Sequence, residues 1–91
     1  MNDPRAELTL FITGITPRSL RAIANVRAFC EKELAGNCNL EIVDLYQNPE
    51  RAAPSNVIVC PTLVRSLPRP VRLLFGDLSD AAKLSAMLKV G

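Results

Sequence analysis

The sequence contains no histidine, and its three cysteines, Cys30, Cys38 and Cys60, are spaced neither as a reactive pair nor as metal ligands. Histidine is the commonest general base and the commonest metal ligand, so its absence counts against both kinds of site. The chain also has no glycine-rich phosphate loop and no carboxylate pair of defined spacing. These absences predict a binding protein that is not an enzyme and needs no cofactor or metal.

Net charge and long apolar runs are limited as well. Eleven basic and nine acidic side chains leave a charge of +2, too small to indicate a nucleic-acid-binding protein. The basic residues are mostly arginines, Arg65 and Arg72 among them, and arginine suits a protein-binding face. No apolar stretch can span a bilayer, and residues 1–5 lack the apolar segment of a signal peptide. We therefore expect one cytoplasmic domain over residues 1–91, with no membrane or nucleic-acid partner.

The first half of the chain reads as strand, helix, strand. Apolar side chains alternate over Leu8–Ile12, which predicts a strand. Thr16 and Pro17 then form a helix-start signal, and Gly36 ends that helix. The side chains expected on its buried face are Leu20, Ile23, Ala24, Val26, Cys30 and Leu34. Leu40–Leu45 predicts a second strand, parallel to the first because a helix connects the two.

Prolines mark the middle of the chain. Asn48-Pro49 is a helix-start signal, and Pro54 cuts that helix short. Pro61 lacks an amide donor and forces Cys60 toward an extended conformation, so it fits the start of a strand better than its interior. A strand opened by proline in this way resembles the closing half of a thioredoxin-like domain, and that resemblance implies a cis peptide bond before Pro61.

The last third predicts a hairpin followed by a helix. Thr62–Leu67 and Val71–Phe75 are expected to pair antiparallel, with the prolines between them forming the reversal. A helix should follow from about Ser79, whose hydroxyl can cap it. The resulting order βαβαββα, with a proline opening the third strand, is that of a single α/β domain of the thioredoxin-like fold.

Five short motifs are distributed along the chain. They are Gly14-Ile15-Thr16-Pro17-Arg18-Ser19, Val43-Asp44-Leu45 with Asn48-Pro49, Cys60-Pro61-Thr62-Leu63, Pro70-Val71-Arg72 and Gly76-Asp77-Leu78-Ser79-Asp80. Together they resemble the KaiB family of the cyanobacterial circadian clock, in one register from about Leu8 to Asp80. The resemblance implies a non-enzymatic adaptor that binds a KaiC-type ring ATPase and modulates circadian-clock or related stress signalling.

The resemblance also implies partners and contact residues. KaiB-like proteins bind the KaiC ring and recruit or displace other proteins, notably a sensor kinase whose input domain looks like KaiB. The matching positions for the binding face are Arg21 and Arg72, and plain solvation is the alternative role for both. Two other functions stay open: a stand-alone relative of that kinase input domain, and a thioredoxin-like redox protein that uses Cys60.

The family is known for two folds, a resting form βαββααβ that assembles into tetramers and a thioredoxin-like form that binds KaiC. Where clock members have glycine and aspartate near the end of the switching segment, this chain has Met87 and Lys89, and it reaches Gly91 without their acidic tail. Helix propensity and the helix dipole together favour a terminal helix by about 1–2 kcal/mol, although Leu84–Val90 also alternates as a strand would. We expect the thioredoxin-like fold, as a monomer or weak homo-oligomer that does not switch reversibly.

Overall fold

The computed structural model describes residues 6–55 and 60–88. Its elements are β1 (Ala6–Ile12), α1 (Pro17–Glu33), β2 (Cys38–Asp44), a 3₁₀ turn (Pro49–Arg51) leading into α2 (Ala52–Ser55), β3 (Thr62–Leu67), β4 (Arg72–Phe75) and α3 (Ala81–Leu88). The predicted order βαβαββα is confirmed, in preference to the resting order βαββααβ. Lys89 and Val90 lie outside the described residues. Within the described ranges, no helix is long and apolar enough to cross a membrane.

The four strands form one mixed sheet in the order β2-β1-β3-β4. Strands β1 and β2 are parallel, as expected for strands joined by a helix. Strand β3 is antiparallel to β1, and β4 is antiparallel to β3, which confirms the predicted hairpin. Strand β4 therefore lies at one edge of this sheet, with β2 at the opposite edge.

Helices α1 and α3 pack on the same face of the sheet. Leu8, Leu10 and Ile12 of β1 point to that face and join Val26 of α1 and Leu84 of α3 in the main core. Because side chains alternate along a strand, the intervening positions form a smaller cluster on the other face. Its buried members are Phe11, Val43 and Val64.

The buried stripe of α1 differs from the predicted one. Its buried residues are Ser19, Ala22, Val26, Phe29 and Cys30, whereas Leu20 is 52% exposed and Ala24 is exposed. The N-cap explains how a serine occupies this stripe. Thr16 Oγ1 accepts a hydrogen bond from the Ser19 amide and donates one to Ser19 Oγ, so the buried serine is satisfied. The prediction for Leu20 and Ala24 was therefore wrong.

The N-cap of helix α3 lies one residue later than predicted. Asp80 Oδ1 accepts hydrogen bonds from the amides of Ala82 (3.0 Å) and Lys83 (3.2 Å). A carboxylate at this position also complements the positive end of the helix dipole. The Ser79 amide instead donates to Asp77 Oδ1. Asp80, not Ser79, is therefore the cap, and the predicted helix is confirmed over the described residues 81–88.

Candidate functional site

The loop after β1 and the segment before β3 lie at the same end of the sheet. The antiparallel register places Phe11, near the end of β1, opposite Thr62, the first residue of β3. Pro61 is buried there, and the Cys60–Pro61 peptide bond is cis. A thiol-based thioredoxin-like enzyme would hold its reactive cysteines just after β1. Here the chain has Gly14-Ile15-Thr16-Pro17 at that point, without a thiol.

Gly14 fits this loop for conformational reasons. Its φ is +77°, a region that favours glycine, and an added Cβ would come within 3.2 Å of the Tyr46 ring. The Gly14 amide donates to Asp44 Oδ1 (3.0 Å), and the Tyr46 amide donates to the same oxygen (2.9 Å). Asp44 thereby joins the loop after β1 to the turn after β2. These contacts show a loop held by hydrogen bonds from backbone amides to the Asp44 carboxylate.

Cys60 directly precedes the cis-proline. It is the residue on which the alternative function of a redox protein depends. It is half-buried and packs against the cluster that contains Phe11 and Val43. Burial raises the pKa of the Cys60 thiol, and the negative charge of Asp44 raises it further. Both effects disfavour the thiolate, which is the nucleophilic form. The site therefore lacks the electropositive surroundings that activate a cysteine.

Cys30 and Cys38 are both free cysteines. Cys30 lies in the main core, as predicted, and Cys38 packs against the same core. Burial raises the pKa of Cys30 to about 12, with smaller contributions from the nearby Cys38 thiol. No group of three or more potential metal ligands occurs among residues 6–55 and 60–88.

Arg21 lies on the exposed side of α1 and contacts the turn after β4. Its Nε is 3.8 Å from Asp77 Oδ2, and its side chain remains 60% exposed. The same turn is tied to α1 by Asn25, whose Nδ2 donates to the Asp77 carbonyl at 2.8 Å. Hydrogen bonds from Ser79 lower the pKa of Asp77, with smaller contributions from the charges of Arg21 and Arg18. Arg21 is thus accessible but already has an anionic neighbour.

Arg72 is the first residue of β4 and is exposed. It pairs across the hairpin with Arg65, whose pKa is lowered by burial and by the charge of Arg72. Arg72 also lines a shallow depression together with Lys83 and Met87 of α3. Within the described ranges, no carboxylate lies within ion-pairing distance of Arg72. Its guanidinium is therefore an exposed cation in positive surroundings.

The two arginines do not form one cluster. Arg72 begins β4, whereas Arg21 reaches Asp77 beyond the other end of that strand. A four-residue strand measures about 10 Å, so the two side chains border β4 from opposite ends. Leu73 and Phe75 are exposed along β4 between them, and Val71, which is also exposed, directly precedes Arg72. We call Val71, Arg72, Leu73 and Phe75 the β4 edge.

The sequence reasoning missed the exposed apolar residues. The sequence predicts a strand over Val71–Phe75, but nothing in it indicates that this strand lies at an edge of the sheet. Three further apolar side chains are exposed at the end of the sheet near Gly14, namely Ile15 (71%), Tyr46 (76%) and Leu20. Exposed apolar residues grouped in this way are typical of interaction surfaces.

The fold and these surfaces define a thioredoxin-like domain with a cysteine-free loop after β1. Thioredoxin from Fasciola hepatica superposes with a TM-score of 0.75 at 20% identity, covering 96% of this chain and 81% of that one. The N-terminal domain of SasA from Synechococcus elongatus superposes with a TM-score of 0.71 at 24% identity, covering 98% and 88%. At these identities the likeness concerns the fold alone.

Sequence comparison identifies the family. The KaiB domain family matches residues 9–90. The circadian clock protein KaiB3 of Synechocystis is 39% identical over 84 residues, which cover 92% of this chain and 82% of that protein. The circadian clock oscillator protein KaiB of Gloeothece citriformis is 39% identical over 77 residues, covering 85% and 73%. The chain belongs to the KaiB family of circadian clock proteins.

Proposed function

We propose that this protein is a non-enzymatic adaptor that binds a KaiC-type ring ATPase in circadian timing or related stress signalling. We further propose that residues 1–91 act in it as one domain. Membership of the KaiB family supports the biological setting, since its relatives are named as clock oscillator proteins. The observation that carries the binding proposal is Arg72, an exposed guanidinium that has no carboxylate partner among the described residues.

The charge around Arg72 favours an acidic partner. Arg65 lies opposite it in the hairpin, and Lys83 lines the same depression. Three cations in one region repel each other, so an incoming carboxylate would relieve that repulsion and gain a charge-assisted hydrogen bond. The planar guanidinium of Arg72 can accept such a carboxylate in a bidentate geometry. We therefore propose Arg72 as the main polar contact.

The remainder of the β4 edge supplies apolar contact area. Phe75 is 53% exposed, and Val71 and Leu73 are exposed beside it. Aromatic residues and arginine are enriched at protein interfaces, where apolar side chains surround a few polar contacts. Arg21 is proposed as a second contact at the far end of β4. Its contribution should be smaller, because a partner carboxylate must compete with Asp77 for its guanidinium.

A second candidate is a stand-alone relative of the KaiB-like input domain of a sensor kinase. The observation in its favour is the fold shared with the N-terminal domain of SasA, over 88% of that domain. Such a protein would dock on the same ring or on a signalling kinase without adopting the tetrameric fold. Family membership favours the first candidate, since the identity to KaiB proteins is 39%.

The redox alternative has less support. It depends on Cys60, whose pKa is raised by burial and by Asp44. Cys30 and Cys38 lie with the core on the other face of the sheet and are not placed to serve as its partner. We therefore propose that the protein does not catalyse disulfide exchange.

Direct binding distinguishes the candidates. The fluorescently labelled protein is titrated with a KaiC-type ring ATPase and, separately, with a KaiB-like-domain sensor kinase from the same organism. Fluorescence anisotropy reports complex formation, and an unrelated thioredoxin serves as a control for the fold. Saturable binding to the ring supports the adaptor. Binding to the kinase without any binding to the ring would replace it with the second candidate.

A further inference from the structure

A hydrogen bond just beyond β4 fixes the direction of the strand's main-chain groups. The Gly76 amide donates to the Pro61 carbonyl at 3.0 Å, so these residues are a hydrogen-bonded pair that continues the antiparallel β3–β4 ladder. Hydrogen-bonded and non-hydrogen-bonded pairs alternate along such a ladder. Every second residue of β4 therefore bonds to β3, whereas Leu73 and Phe75 direct their amides and carbonyls away from it. Among the described residues no further strand lies on that side of β4.

The side chains of the same two residues lie on the sheet face opposite α1 and α3. Leu73 pairs with Val64, a buried member of the smaller cluster on that face. Leu73 is 37% exposed and Phe75 is 53% exposed. Successive side chains alternate between faces, so Arg72 lies on the helix side, where it lines a depression with Lys83 of α3. An added strand would therefore meet apolar side chains on one face and cations on the other.

A cation also borders the other end of β4. Arg18 Nη2 lies beside Gly76, 3.7 Å from the position that a Cβ would occupy there. Asp77, in the same turn, is engaged by Arg21. These charges favour an incoming segment that carries carboxylates. A second copy of this chain fits less well, because pairing two copies of β4 would bring like charges together across the strands.

We propose that β4 accepts an extended acidic segment of the partner as an added strand of the sheet. The inference rests on the proposed function for the identity of the partner, the ring ATPase, and adds the mode of binding. Main-chain groups of the segment would bond to the outward amides and carbonyls of Leu73 and Phe75. Alternate side chains would cover these two residues, and the others would place carboxylates at Arg72. Strand β4 has four residues and follows Pro70, so the added strand is short.

Amide hydrogen exchange in the complex tests the proposal. The full chain is exchanged into deuterated water, alone and with a saturating amount of a KaiC-type ring ATPase, and deuterium is located at single amides by mass spectrometry with fragmentation. Exchange at Leu73 and Phe75 should slow roughly tenfold or more on binding. Leu74, whose amide bonds to β3 in the free protein, is the reference and should change less. If the ring binds while Leu73 and Phe75 exchange as in the free protein, strand addition is wrong and the adaptor function stands.

A matched pair of variants separates the main chain from the side chain. Leu73→Pro removes the outward N–H, and Leu73→Ala shortens the same side chain but keeps that donor. Proline is compatible with an edge position whose N–H is not part of the ladder. Leu73→Pro should bind the ring about five- to tenfold more weakly than Leu73→Ala. Circular dichroism checks that both are folded, and equal affinities of the folded variants would contradict the proposal. The exchange measurement needs only the wild-type chain.

A peptide probe keeps this proposal separate from the proposed function. A short peptide in which glutamate and valine alternate is added to the protein without the ring, and a peptide with lysine in place of glutamate is the control. Only the glutamate peptide should slow exchange at Leu73 and Phe75. If the ring does not bind, the proposed function fails, and lack of protection by the glutamate peptide then overturns strand addition as well. Protection that grows with protein concentration alone would identify a second copy as the occupant and overturn the acidic partner.

Discussion

The guanidinium of Arg65 donates a hydrogen bond to the main-chain carbonyl of Met87, in the last turn of α3. Its other terminal nitrogen donates to the Pro70 carbonyl at 2.8 Å, in the turn between β3 and β4. Arg65 is only 3% exposed. A carbonyl at a helix C-terminus lacks a partner within the helix and carries partial negative charge, so a cation there is favourable. One buried side chain thus joins β3, the hairpin turn and α3.

Replacement of Arg65 should therefore destabilise the whole fold. Arg65→Ala removes two charge-assisted hydrogen bonds and leaves the Met87 and Pro70 carbonyls without this partner, a cost of about 2–3 kcal/mol in the free energy of unfolding. Arg65→Lys should lose less, since an ammonium can still reach one carbonyl. Urea denaturation followed by circular dichroism measures both. Arg27→Ala, on the exposed side of α1, is the control and should change stability by less than about 0.5 kcal/mol. Equal stability of Arg65→Ala and Arg27→Ala would contradict the structural role of Arg65.

The burial of Arg65 could not be predicted from the sequence, whereas local features of the fold could. Proline and glycine signals located the β3–β4 hairpin and the end of α1, because these residues restrict the backbone locally. The alternation of β3 places Arg65 on the same face as Leu63, but an arginine there was grouped with the surface cations. Its role requires the end of α3 to lie beside it, and that proximity is a tertiary property.

The predictions for the buried face of α1 and for the cap of α3 were each wrong by one residue, and tertiary or side-chain contacts are again the reason. Leu20 and Ser19 are neighbours, and hydrophobicity alone favours burial of the leucine. Ser19 is the buried residue of the two, because its hydroxyl is hydrogen-bonded to the side chain of the capping residue Thr16. Asp80 likewise replaced Ser79 as the cap of α3, since the Ser79 amide is engaged by Asp77. Of the candidate site, the sequence and family resemblance supplied Arg21, Arg72 and Pro61, but not the exposed apolar row beside Arg72.

The carboxyl group of Asp77 should titrate below an ordinary aspartate. Hydrogen bonds from Ser79 lower its pKa most, and Arg21 adds a smaller effect. A depressed pKa means that the associated stability is present above the unfolded pKa of about 3.9 and is lost as the pH falls through the folded value. Titration of the Asp77 carboxyl carbon by NMR measures the midpoint. Ser79→Ala should raise it more than Arg21→Ala does, and the reverse order would contradict the assigned causes.

Met87 and Lys89 are proposed as determinants of the fold state. Met87 is buried in α3, so Met87→Gly loses both helix propensity and core contacts, a cost of about 3 kcal/mol or more to the thioredoxin-like fold. The double variant Met87→Gly, Lys89→Asp should therefore populate unfolded or tetrameric species, whereas the parent keeps the thioredoxin-like fold. Size-exclusion chromatography with light scattering, together with NMR, distinguishes these species. Ala86→Gly, at an exposed position of α3, is the control, with an expected cost of about 1 kcal/mol. A tetrameric resting form of the parent itself would contradict this proposal.

The affinity of the Arg72→Ala variant for a cognate KaiC-type ring ATPase tests the central claim most directly. Loss of a charge-assisted contact costs about 1.5–3 kcal/mol, so we expect the Kd to rise roughly tenfold or more. Arg21→Ala should have a smaller effect because Asp77 already occupies part of its guanidinium, and Arg27→Ala should bind as the parent does. Calorimetric titration of the four proteins into the ring gives these values under one set of conditions. If Arg72→Ala and Arg21→Ala both bind as tightly as the parent, the binding face lies elsewhere on the protein.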